Sequence, residues 1–275
     1  MTSSDVSLTT SQNRVDFFCR NERCATYLIR DGASGFSSLY AGGNRLLTPS
    51  NNENSVSLWV EHGNVNGFNF SRTLEPSRSA GEILSEEFIL RRGSLSGGFQ
   101  QSLVWATPSG SPLLNETRTV KFTSAPCQGY AIDLSLDFQT LDKQTVLFGK
   151  TEESFLRLSL ASSLRLAGGG QLRNSMGSYR PEEFSGQSAR WFSVIGVVEG
   201  ETVGIVFLDH PGNLWFPTPW NLTSEGILSP TPFSWREHSL KPDETLALKY
   251  RILVHRGYVD SGWATDRLNE WVFNG

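Results

Sequence analysis

Glu116 and Arg118 break the alternation of a strand-like stretch. In "NETRTVKFT" they fall in phase with Val120 and Phe122, which puts a carboxylate and a guanidinium on the apolar face. Buried charge is costly unless it is paired or faces a wet cleft. Two readings follow: a structural ion pair at a sheet end, or a cleft in which Glu116 is an acid or base and Arg118 clamps an oxygen. A second candidate pair is Glu61 and His62 in "SLWVEHGNVNGFNF", where a strand runs into a turn rich in glycine and asparagine. A sheet holds the side chains at a strand's end while the loop leaves them open to substrate. An imidazole next to a carboxylate suits proton transfer; a hydrogen-bonded structural histidine is the plainer alternative.

The third candidate is the loop "DHPGNLWFPTPWNL". Its prolines fix φ and remove donors, so the segment is stiff and loses little entropy when a ligand binds. Trp215, Phe216 and Trp220 offer flat apolar faces that stack on a sugar ring or a hydrophobic metabolite, or that seal the end of the fold. Asp209, His210 and Asn221 are the polar members of that wall, with His255 from a later strand. The four histidines, His62, His210, His238 and His255, show no metal-ligand spacing, and Cys19, Cys24 and Cys127 do not complete a tetrahedral set. No metal site is expected. "AGGGQLRNS" lacks the lysine and hydroxyl of a phosphate loop, and "GASGFSSL" has only two of the three glycines of a dinucleotide motif. No cofactor is expected.

The elements that must position these residues are strands. In "YAIDLSLDFQTL", Ile132, Leu134, Leu136 and Phe138 share one face, and Asp133, Ser135, Asp137 and Gln139 the other. "ETLALKYRILVH" repeats the pattern, with Lys249, Arg251 and His255 opposite Leu246, Leu248, Tyr250, Ile252 and Val254. "ARWFSVIGVVEGETVGIVFLDH" predicts two strands joined at "EGE". Helical periodicity is confined to the end, where Leu268, Trp271 and Val272 predict a short helix over about 264–273, capped by Thr265 or Asp266. No linker or internal repeat divides the chain. The expectation is an all-β protein, a large antiparallel β-sandwich forming a single domain over 1–275.

Composition narrows the function classes. The 275 residues are 38% hydrophobic, 11% aromatic and 19% charged, with a formal net charge of -4. That supports a sizeable core and offers no basic footprint for nucleic acid or an anionic membrane. A small-molecule ligand is the expected partner; oligomeric state is left open. The first residues, "MTSSDVSLTTSQNRV", lack the basic start and apolar stretch of a secretory signal, and no segment reaches 18 apolar residues. The expected compartment is the cytoplasm, with an odd number of cysteines kept as thiols.

Over about residues 15–258 the chain resembles a bacterial family labelled "methane oxygenase PmoA". The resemblance rests on "LWVEHGNVNGFNF", "GEILSEEF", "LNETRTVKF", "LFGKTEESFLRLSLASSLR", "GGGQLRNSMGS", "ARWFSV", "GIVFLDHPGNLWFPTPWNL" and "LKYRILVHRG", in that order. It implies a galactose-mutarotase-like supersandwich with a concave face suited to sugars or related metabolites. Histidines typical of the family are absent here. They precede "LWVEH", where this chain has "NENSVS" (52–57), and stand in a GxIxHxxF stretch, where this chain has Ser85. A third set lies in WHxR, where this chain reads Trp220, Asn221, Leu222, Thr223.

Two functions follow from this pattern. One is a cofactor-independent enzyme acting on a small carbohydrate or specialised metabolite by proton transfer, as an isomerase, lyase or cyclase of a biosynthetic step. Its catalytic set is Glu61, His62, Glu116 and Arg118, and its substrate-binding set Asp209, His210, Trp215, Trp220, Asn221 and His255. The other is a sugar- or metabolite-binding module that has lost the family's activity along with its histidines.

Overall fold

Alternating side chains become paired strands along most of the chain. The computed structural model describes residues 6–48, 55–72, 78–93, 96–125, 129–151, 155–177 and 184–274. The first sheet runs in the order β1 (Val6–Ser11), β2 (Arg14–Cys19), β3 (Glu22–Leu28), β4 (Gly35–Ala41), β6 (Leu58–Val60), β12 (Leu156–Ser159), β17 (Ile227–Pro230) and β16 (Trp220–Leu222), with β5 (Asn44–Arg45) paired to β4. The second runs β13 (Gln171–Asn174), β14 (Trp191–Val198), β15 (Glu201–Asp209), β19 (Leu246–Arg256), β10 (Gly129–Thr140), β9 (Pro112–Ala125), β8 (Ser96–Ala106) and β7 (Glu82–Arg92). A two-stranded ribbon pairs β11 (Val146–Phe148) with β18 (His238–Leu240). Neighbours in both sheets pair antiparallel, as in β10 with β9 and β19, so the fold is all-β.

The "EGE" hairpin forms as its sequence predicts. Val198 pairs with Glu201 across Glu199 and Gly200, both at positive φ, the conformation that a two-residue turn between twisted strands requires.

The two sheets share one core. Phe17 of β2 stacks on Phe122 of β9 at 4.9 Å between ring centroids, and Tyr27 of β3 meets Phe99 of β8 at 4.4 Å. Leu134, Leu136 and Phe138 of β10 and Leu248, Tyr250 and Ile252 of β19 point into the same cluster. Each such side chain withdrawn from water contributes about 1.5–3 kcal/mol.

The outer face of the second sheet divides in two. Towards β14 and β15 it is apolar and is covered by α1 (Ser261–Asn274). Ala264, Leu268 and Trp271 lie at helical spacing against Trp191, Val206, Leu208 and Leu253. The helix starts three residues before the predicted 264, because Asp260 rather than Thr265 or Asp266 receives the N-terminal amide: Trp263 N donates to Asp260 Oδ1 at 2.8 Å. Thr265 Oγ1 instead donates back to the Ser261 carbonyl at 2.9 Å. Towards β9 the outer face stays polar. There α1 ends the apolar cover and borders an open cleft.

Candidate functional site

The residues singled out in the sequence fall into separate places. Glu116 and Arg118 point between the sheets. Arg118 Nε donates to Glu116 Oε1 at 2.7 Å, and Trp105 Nε1 donates to Glu116 Oε2 at 2.9 Å. Arg118 also donates to the Tyr27 hydroxyl at 3.0 Å and the Ser34 carbonyl at 2.8 Å. The Tyr27 hydroxyl in turn donates to Gln101 Oε1 at 2.6 Å. Burial opposes the Arg118 charge, but Glu116 and Tyr27 outweigh it and hold the guanidinium above its ordinary range. These partners bolt the second sheet to the first and leave the pair enclosed.

Glu61 and His62 are neighbours in sequence that face different surroundings. Glu61 is fully buried and receives Trp59 Nε1 at 2.9 Å, the Arg72 amide at 3.1 Å and Arg157 at 3.3 Å. The Arg157 guanidinium also lies over the Trp59 ring, 5.3 Å from its centroid. The His62 ring sits among Phe148, Phe155 and Phe233, the last at 4.9 Å. Its Nε2 lies 3.1 Å from the Gly149 carbonyl, so Nε2 carries the proton, and burial pushes its pKa down to about 4. Sequence adjacency therefore does not make an acid–base couple of these two.

In the 209–221 loop the polar groups brace the backbone. Asp209 accepts from Asn213 Nδ2 at 2.7 Å and from the Thr218 amide at 2.8 Å, and burial pushes its pKa up to about 6. Trp220 lies in the core, packed on Phe192 and Phe207 with its Nε1 donating to the Ala189 carbonyl at 2.8 Å. Asn221 accepts from Ser185 at 2.8 Å. The Trp215 ring is half-buried beside Arg236. His255 is enclosed beneath α1, 5.8 Å from the Trp263 ring, its Nδ1 donating to Gly257 O at 3.1 Å; burial pushes its pKa down to about 4. His210 differs from the rest: its ring meets Trp271 edge-on at 5.0 Å, at the border of the outer-face cleft.

That cleft, of about 400 Å³, is built by strand register. Lys121, Asp133 and Arg251 oppose one another across β9, β10 and β19, and Thr119, Ser135 and Lys249 form the next row on the same face. Period-two alternation puts all six outside because their neighbours fill the core. Glu270 and Trp271 of α1 complete the lining. Arg251 Nη2 donates to Asp133 Oδ2 at 2.8 Å while its Nε also reaches this carboxylate, and the guanidinium lies 5.0 Å from the centre of the Trp271 ring. Asp137 follows Ser135 on the same face; burial raises its pKa, with Lys249 pulling the other way. Burial, and then Lys249, lower the pKa of His210.

These groups are what sequence reasoning left on the solvent side. The signal was present, since Asp133, Ser135, Lys249 and Arg251 alternate in the quoted stretches, but nothing local places Trp271 beside them. A second cavity of about 420 Å³, beside Leu160, Leu172 and Leu222, has one charged lining group. That group, Arg165, is already engaged with the Leu160 carbonyl and Thr48. Among the described residues no three histidine, cysteine or acidic side chains gather to share a metal ion, and no helix is long and apolar enough to cross a membrane.

Fold and cleft together define an all-β, two-sheet protein with a polar, tryptophan-edged depression on one outer face. The chain belongs to the family described as a family of unknown function, DUF6807, whose model matches residues 49–269. That description carries no activity, and the methane oxygenase label of the resemblance above does not appear in it. No curated protein matches the sequence. Among solved structures, a galactose 1-epimerase from Lactobacillus acidophilus NCFM is 9% identical, with a TM-score of 0.45, covering 92% of this chain and 100% of its own. A protein assigned as a kojibiose phosphorylase, from the human microbiome, is 10% identical, with a TM-score of 0.38; it covers 98% of this chain, which spans 36% of that protein.

Proposed function

We propose that this protein binds a small carbohydrate in the outer-face cleft. The observation that carries the reading is the lining itself: an indole edge beside two rows of closely spaced donors and acceptors of both signs. A sugar ring presents hydroxyls that both donate and accept around an apolar C–H face, and it is matched by mixed polar groups flanking an aromatic ring. The volume, about 400 Å³, lies in the range of small-ligand sites. Lys121 and Lys249 add room for a carboxylate, so sugar acids belong to the same class. The reading takes the chain as one domain, because both sheets share a core and α1 completes the cleft. His210 is the member of the sequence-derived binding set that reaches the edge of this site, through its ring contact with Trp271.

One observation favours the enzymatic alternative. Beyond the lining itself, Asp137 follows Ser135 along β10 and His210 meets Trp271; burial raises the pKa of the carboxyl and lowers that of the imidazole, and both feel the charge of Lys249. Such displaced groups suit proton transfer in an isomerase- or lyase-type step. Glu61 and Glu116, enclosed and paired, are not part of this version.

A thermal-shift panel of neutral sugars, ketosugars and sugar acids tests the binding claim, followed by NMR of each hit after incubation. At 100 times its dissociation constant a ligand adds about 2.7 kcal/mol, which raises Tm by several degrees in a chain of this size. The expected result is a shift with at least one sugar, returned unchanged. A hit that returns isomerised or cleaved decides for the enzymatic alternative. A flat panel across all three classes overturns the carbohydrate reading.

A further inference from the structure

The β2–β3 hairpin brings two of the three cysteines together. Cys19 pairs with Glu22 and Phe18 with Arg23, but Phe17 pairs with Ala25, which leaves Cys24 as the extra residue of a bulge. In a regular ladder Cys24 would oppose Phe17 and sit diagonal to Cys19, about 7–8 Å away. The bulge moves it off the Phe17 level, towards the turn and Cys19. Both side chains line a cavity of about 260 Å³ at the end of the sandwich, with Tyr40, Tyr130 and Arg256 across from them. Cys19 is half-buried and so in contact with solvent, whereas Cys24 is buried.

The two residues already interact as thiols. The Cys24 thiol is hydrogen-bonded to the Cys19 side chain and to its backbone, and these bonds lower its pKa against burial and the nearby Glu22 carboxylate. In its protonated form Cys24 Sγ donates to the Glu22 carbonyl at 3.5 Å. A thiolate-favouring site next to a second thiol in an open cavity is the arrangement of a nucleophilic cysteine with a resolving partner.

We propose that Cys19 and Cys24 form a peroxide-oxidisable dithiol that cycles between the free thiols and an intramolecular disulfide. The Cys24 thiolate attacks one oxygen of hydrogen peroxide. The O–O bond breaks, the sulfur becomes a sulfenic acid, and the departing hydroxide takes up a proton to leave as water. The Cys19 sulfur then attacks the Cys24 sulfur and displaces its hydroxyl, which leaves as a second water with the Cys19 proton. Two thiols and one peroxide thus yield one disulfide and two waters, and a dithiol reductant reverses the change. This site is independent of the carbohydrate cleft.

The test uses the reduced 275-residue chain treated with hydrogen peroxide, blocked with iodoacetamide and digested with trypsin. Arg20 and Arg23 lie between the two cysteines, so cleavage severs the turn and the Cys19 and Cys24 peptides stay together only through a disulfide. The expected result is that linked pair, released by reductant, with alkylatable thiols falling from three to one. Cys127→Ser should behave the same, and Cys19→Ser and Cys24→Ser should each abolish the link. Recovery of both peptides as alkylated thiols or as sulfinic acids would overturn the proposal. So would a disulfide from Cys127 to either residue.

Discussion

His62 and His255 are neutral at pH 7 because burial disfavours their charged forms, and this makes folding sensitive to acid. Each pKa lies near 4 in the folded chain against 6.5 for the free side chain. Between those values the unfolded chain binds more protons, so stability falls as pH drops through the window, by at most about 1.4 kcal/mol per pH unit for each histidine. Asp209 acts in the opposite sense. Its pKa is raised to about 6 from 3.8, so the folded chain binds the extra proton there and this group favours folding on acidification. Two histidines outweigh one aspartate, and the net effect is loss of stability below pH 6.5. His62→Phe suits the surrounding Phe148, Phe155 and Phe233 but leaves the Gly149 carbonyl without its donor, at a cost of about 1–3 kcal/mol. Urea midpoints should show the variant less stable than the parent at neutral pH, with the gap narrowing on acidification. A gap that widens would mean that His62 is charged in the folded protein.

At the scale of elements, the Glu116 and Arg118 network explains why a charged pair sits on the apolar face of β9. It ties that strand to β3 through Tyr27 and to the Ser34 carbonyl. Breaking a buried pair leaves an uncompensated charge, so Glu116→Leu and Arg118→Met should each cost about 3–5 kcal/mol. The double variant should cost clearly less than the sum, since neither orphaned charge remains. Additive losses in denaturant titrations would contradict a coupled pair.

The in-phase charges of this strand were legible in the sequence; what they face was not. Alternation in "YAIDLSLDFQTL" and "ETLALKYRILVH" likewise shows which side of each strand is polar. The site itself was not legible, because register sets Lys121 beside Asp133 and Arg251, and the docking of α1 sets Trp271 against them. Both are long-range facts that no local window contains. Conversely, the 209–221 loop drew attention through composition that its backbone needs. Asp209 holds Asn213 and the Thr218 amide, and Trp220 fills the core.

For the whole molecule, two sheets form the body and a terminal helix finishes a site on its outer surface. The tryptophan edge of the cleft belongs to α1, whereas Trp215 belongs to the proline-rich loop that the sequence alone favoured as a ligand wall. The most direct measurement is calorimetric titration of the strongest carbohydrate hit into the parent, Trp271→Ala and Trp215→Ala proteins. An outer-face site requires binding at least about tenfold weaker, a loss of about 1.4 kcal/mol, for Trp271→Ala and unchanged binding for Trp215→Ala. Affinity that survives at Trp271→Ala and fails at Trp215→Ala would place the ligand on the loop and contradict the outer-face site.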